Sequence, residues 1–313
     1  MLSPSITTGL AWGFLGVLAF SFTVPLTRVA VGGLSPLFIG SGRAVVAAGL
    51  AAIALTLTRQ QLPRAGQWWR LAVVAGGAVL GFPLLTSYAL TSVPAGHGAV
   101  VIAFLPAATA SLAVLRARER PPARFWWFAG LGALATVVFA TMQGGGLGHV
   151  GSADLLLLGA VVAAAAAYAE GGLLARELGS WQTVSWALVL AAPVMLVLAA
   201  VSVAREAPTA SPHQWFAFAY LAVVSMYLGF FAWYRGLGIG PIAQVSQVQL
   251  VQPVLSLVWA ALLLGEHLTA ATVIGALAVI ACAGSAVRAR TADRAGVRSR
   301  PPSPMPAPRR RDA

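Results

Sequence analysis

Two stretches of this 313-residue chain repeat each other: SVPAGHGAVVIAFLPAATASLAVLRARER at residues 92–120 and GIGPIAQVSQVQLVQPVLSLVWAALLLGEH at residues 238–267. Three positions of the first stretch recur 147 residues later with no gap between them. The pairs are Pro94 and Pro241, Pro106 and Pro253, and Glu119 and Glu266. The repetition indicates that the chain contains two copies of one structural unit.

The composition indicates a protein that lies in a membrane. Hydrophobic residues make up 59% of the chain and charged residues only 9%, with a mean hydropathy of +0.83. Ten apolar runs of roughly 19 to 25 residues can be drawn, and each could cross a bilayer as a helix. The runs cover residues 7–31, 35–57, 68–91, 95–115, 124–142, 154–175, 182–203, 213–234, 241–264 and 270–287. We predict an all-α integral membrane protein with ten transmembrane helices.

The two copies are predicted to have opposite orientations in the membrane. Each copy holds five runs, and an odd number of spans threads the second copy in the opposite direction to the first. Inverted five-helix repeats of this kind are typical of secondary transporters. The predicted boundaries are residues 1–148 for the first repeat, 149–287 for the second and 288–313 for a tail. Because this tail is rich in arginine and proline, we predict that it is disordered and cytoplasmic.

The arginines determine the predicted orientation. The chain has no lysine, so all twenty basic residues are arginine. Seventeen of them fall on the side that holds both termini, whereas Arg28 and Arg205 fall on the other side and Arg43 lies inside a run. Basic residues favour the cytoplasmic side of a membrane. We therefore predict cytoplasmic N- and C-termini, and we attribute the net charge of +12 to topology rather than to nucleic-acid binding.

A resemblance to a known family rests on PVLSLVWAALLLGEHLTAATVIGALAVIACAG at residues 253–284, with its proline, its Gly-Glu pair and its glycine-bearing last run. This stretch, together with Arg43 in SGRAVVAAGL, resembles the ten-helix EamA proteins of the drug/metabolite transporter superfamily. The resemblance covers residues 7–287. It implies a secondary carrier that exports amino acids or related small metabolites across the bacterial plasma (inner) membrane by alternating access. It also implies that helices 1 to 4 and 6 to 9 surround a central cavity, with helices 5 and 10 at the periphery.

Arg43 and Glu170 are the clearest ionisable residues inside the predicted spans. A charged group within a membrane helix costs roughly 2.5 to 3.5 kcal/mol on insertion scales, so it usually faces a cavity or a partner. Arg43 is a candidate for binding a substrate carboxylate or for guarding the cavity. Glu170 is a candidate for taking up a proton or for attracting a substrate amine. A structural ion pair is the alternative for both residues.

The ninth run begins PIAQVSQVQLVQP and carries several amide side chains. At about 100° per residue, as in an α-helix, Gln244, Gln247 and Gln252 fall on one face. Ser246 and Gln249 are predicted to point away from that face. An amide-lined face suits substrate binding, although glutamines also hold membrane helices together through hydrogen bonds.

Aromatic side chains are candidates for the cavity wall, because they can stack on an apolar or cationic solute. We favour Tyr88 and Trp186, and the wider set also holds Trp12, Tyr168, Trp233 and Tyr234. The matching prolines Pro106 and Pro253 are candidates for symmetric hinges, because each removes a backbone donor inside a helix. Kinks in a static bundle are the alternative.

Glu119 and Glu266 are predicted to lie at helix ends on opposite sides of the membrane. A carboxylate in such a position can accept hydrogen bonds from the amides that begin a helix. The most direct candidate is the next helix along the chain, which gives both residues a structural role.

The sequence carries no phosphate-binding loop and no helical His-Glu-x-x-His zinc motif, and its histidines are scattered. We therefore predict no enzymatic activity, no cofactor and no metal site. The expected partners are a small-molecule substrate and the lipid bilayer, with a homodimer left open. Uptake or exchange of another small organic solute is the alternative transport function. A membrane scaffold or sensor without transport is one alternative outside that class, and an intramembrane enzyme is the other, which the lack of catalytic clusters disfavours.

Overall fold

The computed structural model describes residues 4–117, 123–143, 151–239, 245–282 and 285. Within these ranges all regular secondary structure is helical, and we number the helices along the chain. The first half holds α1 (Pro4–Ser21, continued by Thr23–Ala30), α2 (Pro36–Leu57), α3 (Ala65–Val74, Ala75–Gly81 and Phe82–Ala89), α4 (Ala95–Ile102 and Leu105–Ala117) and α5 (Ala123–Gln143). The second half holds α6 (Ser152–Glu177), α7 (Ser180–Arg205), α8 (Pro212–Tyr220, Leu221–Leu228 and Gly229–Ile239), α9 (Ser246–Val251 and Gln252–Leu264) and α10 (Ala270–Cys282).

The prediction of an all-α membrane protein is confirmed. Six helices of the described residues, α1, α2, α3, α6, α7 and α8, are long and apolar enough to cross a membrane. Shorter apolar helices cover Ala95–Thr109, Val248–Leu264 and Ala270–Cys282. Large apolar side chains such as Leu57, Leu262 and Ile274 are exposed on the outside of the bundle, as expected for contact with lipid. The count of ten spans stays a prediction.

The two halves pack on each other through matching pairs of helices. The helix α1 packs on α8 and α3 packs on α6, while α2 packs on α7 and α4 packs on α9. If each helix of the first half is replaced by its counterpart in the second half, and the reverse, the same four helix pairs result. Two copies of one unit related by a two-fold axis have this property.

Small residues permit the closest of these contacts. A Cβ atom built on Gly236 of α8 would lie 2.6 Å from the backbone nitrogen of Gly13 in α1. A Cβ atom on Gly16 would lie 2.8 Å from the backbone nitrogen of Trp233. In lipid, where helix association depends on close packing, glycine at such positions lets two backbones approach each other.

The helices α3 and α8 contain wider, π-helical turns at corresponding places. The π-helical segments are Ala75–Gly81 and Leu221–Leu228. The offset of 147 residues carries the first segment onto residues 222–228. The backbone N–H of Phe82 donates to Gly77, and that of Gly229 donates to Val224, so each segment ends on a hydrogen bond that spans five residues. Such segments occur frequently at functional sites.

The helices α4 and α9 are irregular just before their matching prolines. The first part of α4 ends at Ile102, and helical structure resumes at Leu105, directly before Pro106. In α9 the 3₁₀-helical segment Ser246–Val251 precedes the α-helix that holds Pro253. A proline lacks the N–H that would continue the α-helical ladder, so the preceding turn takes another geometry.

We expect the Gly236→Ala substitution to destabilise the bundle, because the new methyl group would press on the backbone of α1. Overpacking of this kind costs about 1 to 3 kcal/mol. Thermal unfolding of the purified protein in detergent measures the effect. The matched control is Gly49→Ala in α2, where nothing lies within 4 Å of the added carbon. Equal unfolding temperatures for the two variants would contradict the tight α1 to α8 contact.

Candidate functional site

A small central cavity lies between the two halves of the chain. Its volume is about 20 Å³, which is room for roughly one water molecule. The lining comes from α1, α2, α3, α6, α8 and α9, and it includes Phe20, Arg43, Phe82, Tyr168, Phe230 and Gln252. A second cavity of about 10 Å³ lies between α1, α4 and α9 and shares Gln252 with the first. In the described part of the chain, α5, α7 and α10 contribute nothing to either lining.

Arg43 brings a buried positive charge to the central cavity. It lies about two turns into α2, a helix that begins where the Ser35 hydroxyl caps the backbone N–H of Phe38 at 3.2 Å. The side chain is 1% exposed, and its Nε and Nη1 atoms have no hydrogen-bond partner in the described part of the chain. A buried donor that lacks a partner is costly and calls for an explanation. An anion in the cavity would satisfy these donors.

Two glutamines of α9 lie side by side at these cavities, and one of them contradicts the sequence analysis. Gln252 lines both cavities, and its Oε1 atom has no partner among the described residues. The prediction that Gln249 points away is wrong, because Gln249 lines the second cavity and is 1% exposed. The reason is the 3₁₀-helical segment, in which about three residues complete a turn and positions three apart are aligned. Gln244 lies outside the described residues, and the side chain of Gln247 is not described.

An aromatic wall completes the central cavity. The rings of Phe20 and Phe230 lie 4.9 Å apart, edge to face, and Tyr168 lies 5.9 Å from Phe230. Trp233 and Tyr234 are fully buried behind this wall. Tyr168 therefore lies at the cavity, where the sequence analysis placed it only in the wider aromatic set.

The paired prolines meet at the second cavity. Pro106 and Pro253 both line it, together with Ala99, Ile102 and Ser256. One of the three duplicated pairs that revealed the repeat therefore comes together between α4 and α9. The irregular turns that precede the two prolines face each other at the junction of the two halves.

Tyr88 and Trp186 lie away from the central cavity. Tyr88 is near the end of α3, and its side chain is 45% exposed. Trp186 packs edge to face on Trp68 at 6.0 Å and lines a polar cleft with a volume of about 550 Å³. This cleft lies between the end of α2, the start of α3, the end of α6 and the start of α7.

Glu170 is paired with two arginines at one end of the bundle, which we call the Glu170 end. Its Oε1 atom accepts a hydrogen bond from Nε of Arg70 in α3. Its Oε2 atom lies 2.9 Å from Nε of Arg116 in α4. Arg70 also pairs with Glu177 at 2.6 Å. The ion pair that the sequence analysis named as the alternative for Glu170 is thus present, and Glu170 does not line the central cavity.

Glu266 lies at the opposite end of the bundle, which we call the Glu266 end. Its two carboxylate oxygens accept hydrogen bonds from the backbone N–H groups of Ala95 and Gly96, each at 2.8 Å. The predicted role as an acceptor for helix-starting amides is confirmed, but the predicted helix is wrong. Glu266 caps α4 in the other half of the chain rather than the following α10. Its counterpart Glu119 lies outside the described residues.

Two duplicated halves of apolar helices with a small cavity between them are the architecture expected of a membrane transport protein. The EamA-like transporter family matches residues 7–141 and 151–286, so the chain belongs to this family of the drug/metabolite transporter superfamily. It is 44% identical over 282 residues to "Uncharacterized transporter YdeK" of Bacillus subtilis (strain 168), which covers 90% of this chain and 98% of that protein.

A solved crystal structure shares the fold. The TM-score is 0.63 at 19% sequence identity, and the match covers 91% of this chain and 98% of the solved chain. At this level of identity the likeness concerns the fold alone.

We expect Glu170→Gln to lower the stability of the protein, because two guanidinium groups would lose a charged acceptor. Breaking a buried ion pair costs about 3 to 5 kcal/mol, and since Arg116 is half exposed we expect a loss of roughly 1 to 3 kcal/mol. Thermal unfolding measures this loss, with exposed Glu206→Gln as the control. An unfolding temperature equal to that of Glu206→Gln, together with a lost pH dependence of transport, would instead favour the proton role.

Proposed function

We propose that this protein is a secondary active transporter that exports amino acids or related small metabolites across the bacterial inner membrane by alternating access. The observation that carries the proposal is the buried guanidinium of Arg43, which lies in a cavity between the two halves and has no hydrogen-bond partner for Nε and Nη1 among the residues that the structure describes. Ionisable groups at such depth are typical of substrate and ion pathways.

The proposal includes ten spans arranged as two inverted five-helix repeats. The matching helix pairs and the corresponding π-helical segments support a two-fold relationship between the halves. Side-chain contacts also support this arrangement, because α4 and α6 run in the same direction, as the fourth and sixth spans of an alternating path do. The start of α4 meets the start of α6 through His97 and Asp154, and the end of α4 meets the later part of α6 through Arg116 and Glu170.

The orientation follows from the positions of the arginines. The Glu170 end collects most of the arginines of the described residues, whereas Arg28 and Arg205 end helices at the Glu266 end. At the Glu170 end they are Arg59, Arg64, Arg70, Arg116, Arg124, Arg176 and Arg235. By the positive-inside rule we assign the Glu170 end and both termini to the cytoplasm, and the Glu266 end to the outside. The polar cleft beside Trp186 then opens on the cytoplasmic side.

The small cavity is a closed form of the binding site in this proposal. A volume of about 20 Å³ is too small for an amino acid, so binding requires the helices to separate. The π-helical segments of α3 and α8 and the proline-linked turns of α4 and α9 border the two cavities. Since they hold fewer α-helical hydrogen bonds, we assign the bending of these helices to those positions.

The chemistry of the lining supports a substrate with a carboxylate and an apolar part. Arg43 supplies donors for the carboxylate, and charged hydrogen bonds of this kind are the stronger ones. The Oε1 atom of Gln252, which has no partner within the described ranges, can accept from an amine or a hydroxyl group. The rings of Phe20 and Phe230 offer an apolar surface on which the apolar part of the substrate can pack.

Transport in inside-out membrane vesicles tests the proposal. Radiolabelled amino acids are presented at the cytoplasmic face, with and without a proton gradient, and uptake into the vesicles corresponds to export from the cell. Vesicles that lack the protein give the background. Equal uptake in both preparations for every amino acid and carboxylic acid tested would refute the assignment. Accumulation only in right-side-out vesicles would show that the protein imports its substrate, and the assignment of export would be wrong.

We expect Arg43→Gln to weaken transport of a carboxylate substrate. A hydrogen bond to a charged group is worth about 1.5 to 3 kcal/mol, which corresponds to a rise in KM of roughly 10- to 100-fold. Arg205→Gln, at an exposed arginine of the Glu266 end, is the matched control. A neutral amide analogue of the substrate should bind wild type and Arg43→Gln alike. If Arg43→Gln keeps the wild-type KM for the carboxylate, Arg43 does not bind it.

A further inference from the structure

The first part of α4, Ala95–Ile102, occupies a special place between the two halves. All eight of its residues are buried. Ala99 and Ile102 line the second cavity, and the turn at Ala103 and Phe104 separates this part of α4 from the rest of the helix. The turn therefore interrupts the regular helix between this segment and the remainder of α4.

Glu266 holds the start of this segment with both carboxylate oxygens. The N–H groups that begin a helix have no partner within the helix, and a carboxylate at that position also interacts favourably with the helix dipole. Two charge-assisted hydrogen bonds of 2.8 Å satisfy the N–H groups of Ala95 and Gly96. A Cβ atom on Gly96 would lie 3.1 Å from Oε2 of Glu266, so glycine leaves the carboxylate the room it needs.

The end of α9 directs Glu266 towards α4. Gly265 has a φ of 64°, in the left-handed region that favours glycine. Its backbone N–H donates to Ala261 at 3.1 Å, and that of Glu266 donates to Ala260 at 3.4 Å. A glycine that ends a helix in this way turns the chain sharply. Glu266 is therefore placed by the backbone of the second half, while the groups that it binds belong to the first half.

A second carboxylate of the second half holds the same segment one residue further along. Oδ1 of Asp154 lies 2.6 Å from Nε2 of His97, and both side chains are buried. Oδ2 of Asp154 accepts the backbone N–H of Gly151 at 3.0 Å, which fixes the carboxylate at the start of α6. In the first half, Arg28 of α1 donates to the backbone oxygen of Leu90 at 2.7 Å and ties the ends of α1 and α3 together.

We propose that Glu266 and Asp154 form a latch that keeps the cavities closed at the Glu266 end, and that breaking the latch opens them to that side during transport. This inference rests on the proposed function, because it assigns the two carboxylates to positioning α4 within the transport cycle. The bonds of the latch join the halves, so they break when the first part of α4 moves away from α6 and α9. The segment then uncovers Ser256 and Gln252, which lie behind it in the second cavity.

Thiol labelling in membrane vesicles tests the latch without requiring a substrate. The only cysteine, Cys282, is replaced by alanine, and Ser256→Cys places a thiol in the second cavity, where Ser256 is 2% exposed. A membrane-impermeant, charged methanethiosulfonate is applied to right-side-out and to inside-out vesicles in separate experiments. The labelling rate from each side is compared for the parent, Glu266→Gln and Glu206→Gln. Glu206 is an exposed carboxylate just after α7, at the same end of the bundle.

We expect Glu266→Gln to raise the labelling rate from the Glu266 side roughly tenfold or more, since charged hydrogen bonds are replaced by weaker ones. Labelling from the Glu170 side should fall in the same variant, because a larger fraction of molecules open to the Glu266 side leaves a smaller fraction open to the Glu170 side. Asp154→Asn should act in the same direction, and Glu206→Gln should match the parent. His97→Gln, which introduces the residue found 147 positions later, should fall between the parent and Asp154→Asn.

Some outcomes would overturn the latch. Unchanged labelling from the Glu266 side in Glu266→Gln, together with a lower unfolding temperature, would make Glu266 a stabilising cap only. If Glu266→Gln does not reach the membrane, Glu266→Asp replaces it, because the shorter side chain keeps the charge but cannot reach both amides. Parent-like labelling of Glu266→Asp would overturn the proposal. Changed labelling without transport of any tested solute would support the latch and refute the proposed function. Intact transport with unchanged labelling would support the proposed function and refute the latch.

Discussion

The structure depends on the requirement that backbone polar groups in lipid find their partners within the protein. A continuous α-helix satisfies this requirement through its own hydrogen bonds. Irregular turns are tolerated only where they are buried in protein or line a cavity. In α3, α4, α8 and α9 the departures from α-helical hydrogen bonding lie beside the cavities. These helices are the third and fourth of each half. The same constraint that makes the outside of the bundle regular therefore concentrates its deformable turns around the site.

In the proposed function, burial of Arg43 is what makes the site prefer an anion. A guanidinium keeps its proton under all ordinary conditions, so the protein cannot relieve the cost of burial by neutralising it. The cost would fall on entry of an anion into the cavity, because opposite charges attract strongly in buried surroundings of low effective dielectric constant. A carrier must also release its substrate. In the proposed cycle, opening of the cavity to water would solvate the guanidinium and the anion separately, so the movement that opens the site would also release the substrate.

The sequence was most informative at residues whose presence inside a membrane helix costs free energy, such as a charged residue or a proline. Arg43 was recognisable as a charged residue within an apolar run, and it lies at the central cavity. The duplicated prolines Pro106 and Pro253 were recognisable as a symmetric pair, and the structure shows that they meet at the second cavity. The misplacement of Gln249 came from applying α-helical periodicity to a stretch that the following proline turns into a 3₁₀-helix. Proline at 253 was a usable signal for that change, since it stands directly after the stretch.

Long-range pairing was beyond the sequence alone. Arg70 and Arg116 lie 100 and 54 residues before Glu170, and only the packing of α3 and α4 on α6 brings the three side chains together. The acidic helix end at Glu266 was recognisable as a capping residue, but the nearest helix along the chain was the wrong one. Its actual partner is decided by the arrangement of α9 beside α4, which no local pattern encodes.

The helix α4 connects these features, because carboxylates of the second half hold it at both ends. Glu266 and Asp154 hold its start, and Glu170 pairs with Arg116 near its end. Between these points lie the turn before Pro106 and the second cavity. A rigid helix held at both ends would have to break both sets of contacts in order to move. A helix with a deformable middle can release one end while the other stays attached, so the cavity can open at one end of the bundle and stay closed at the other.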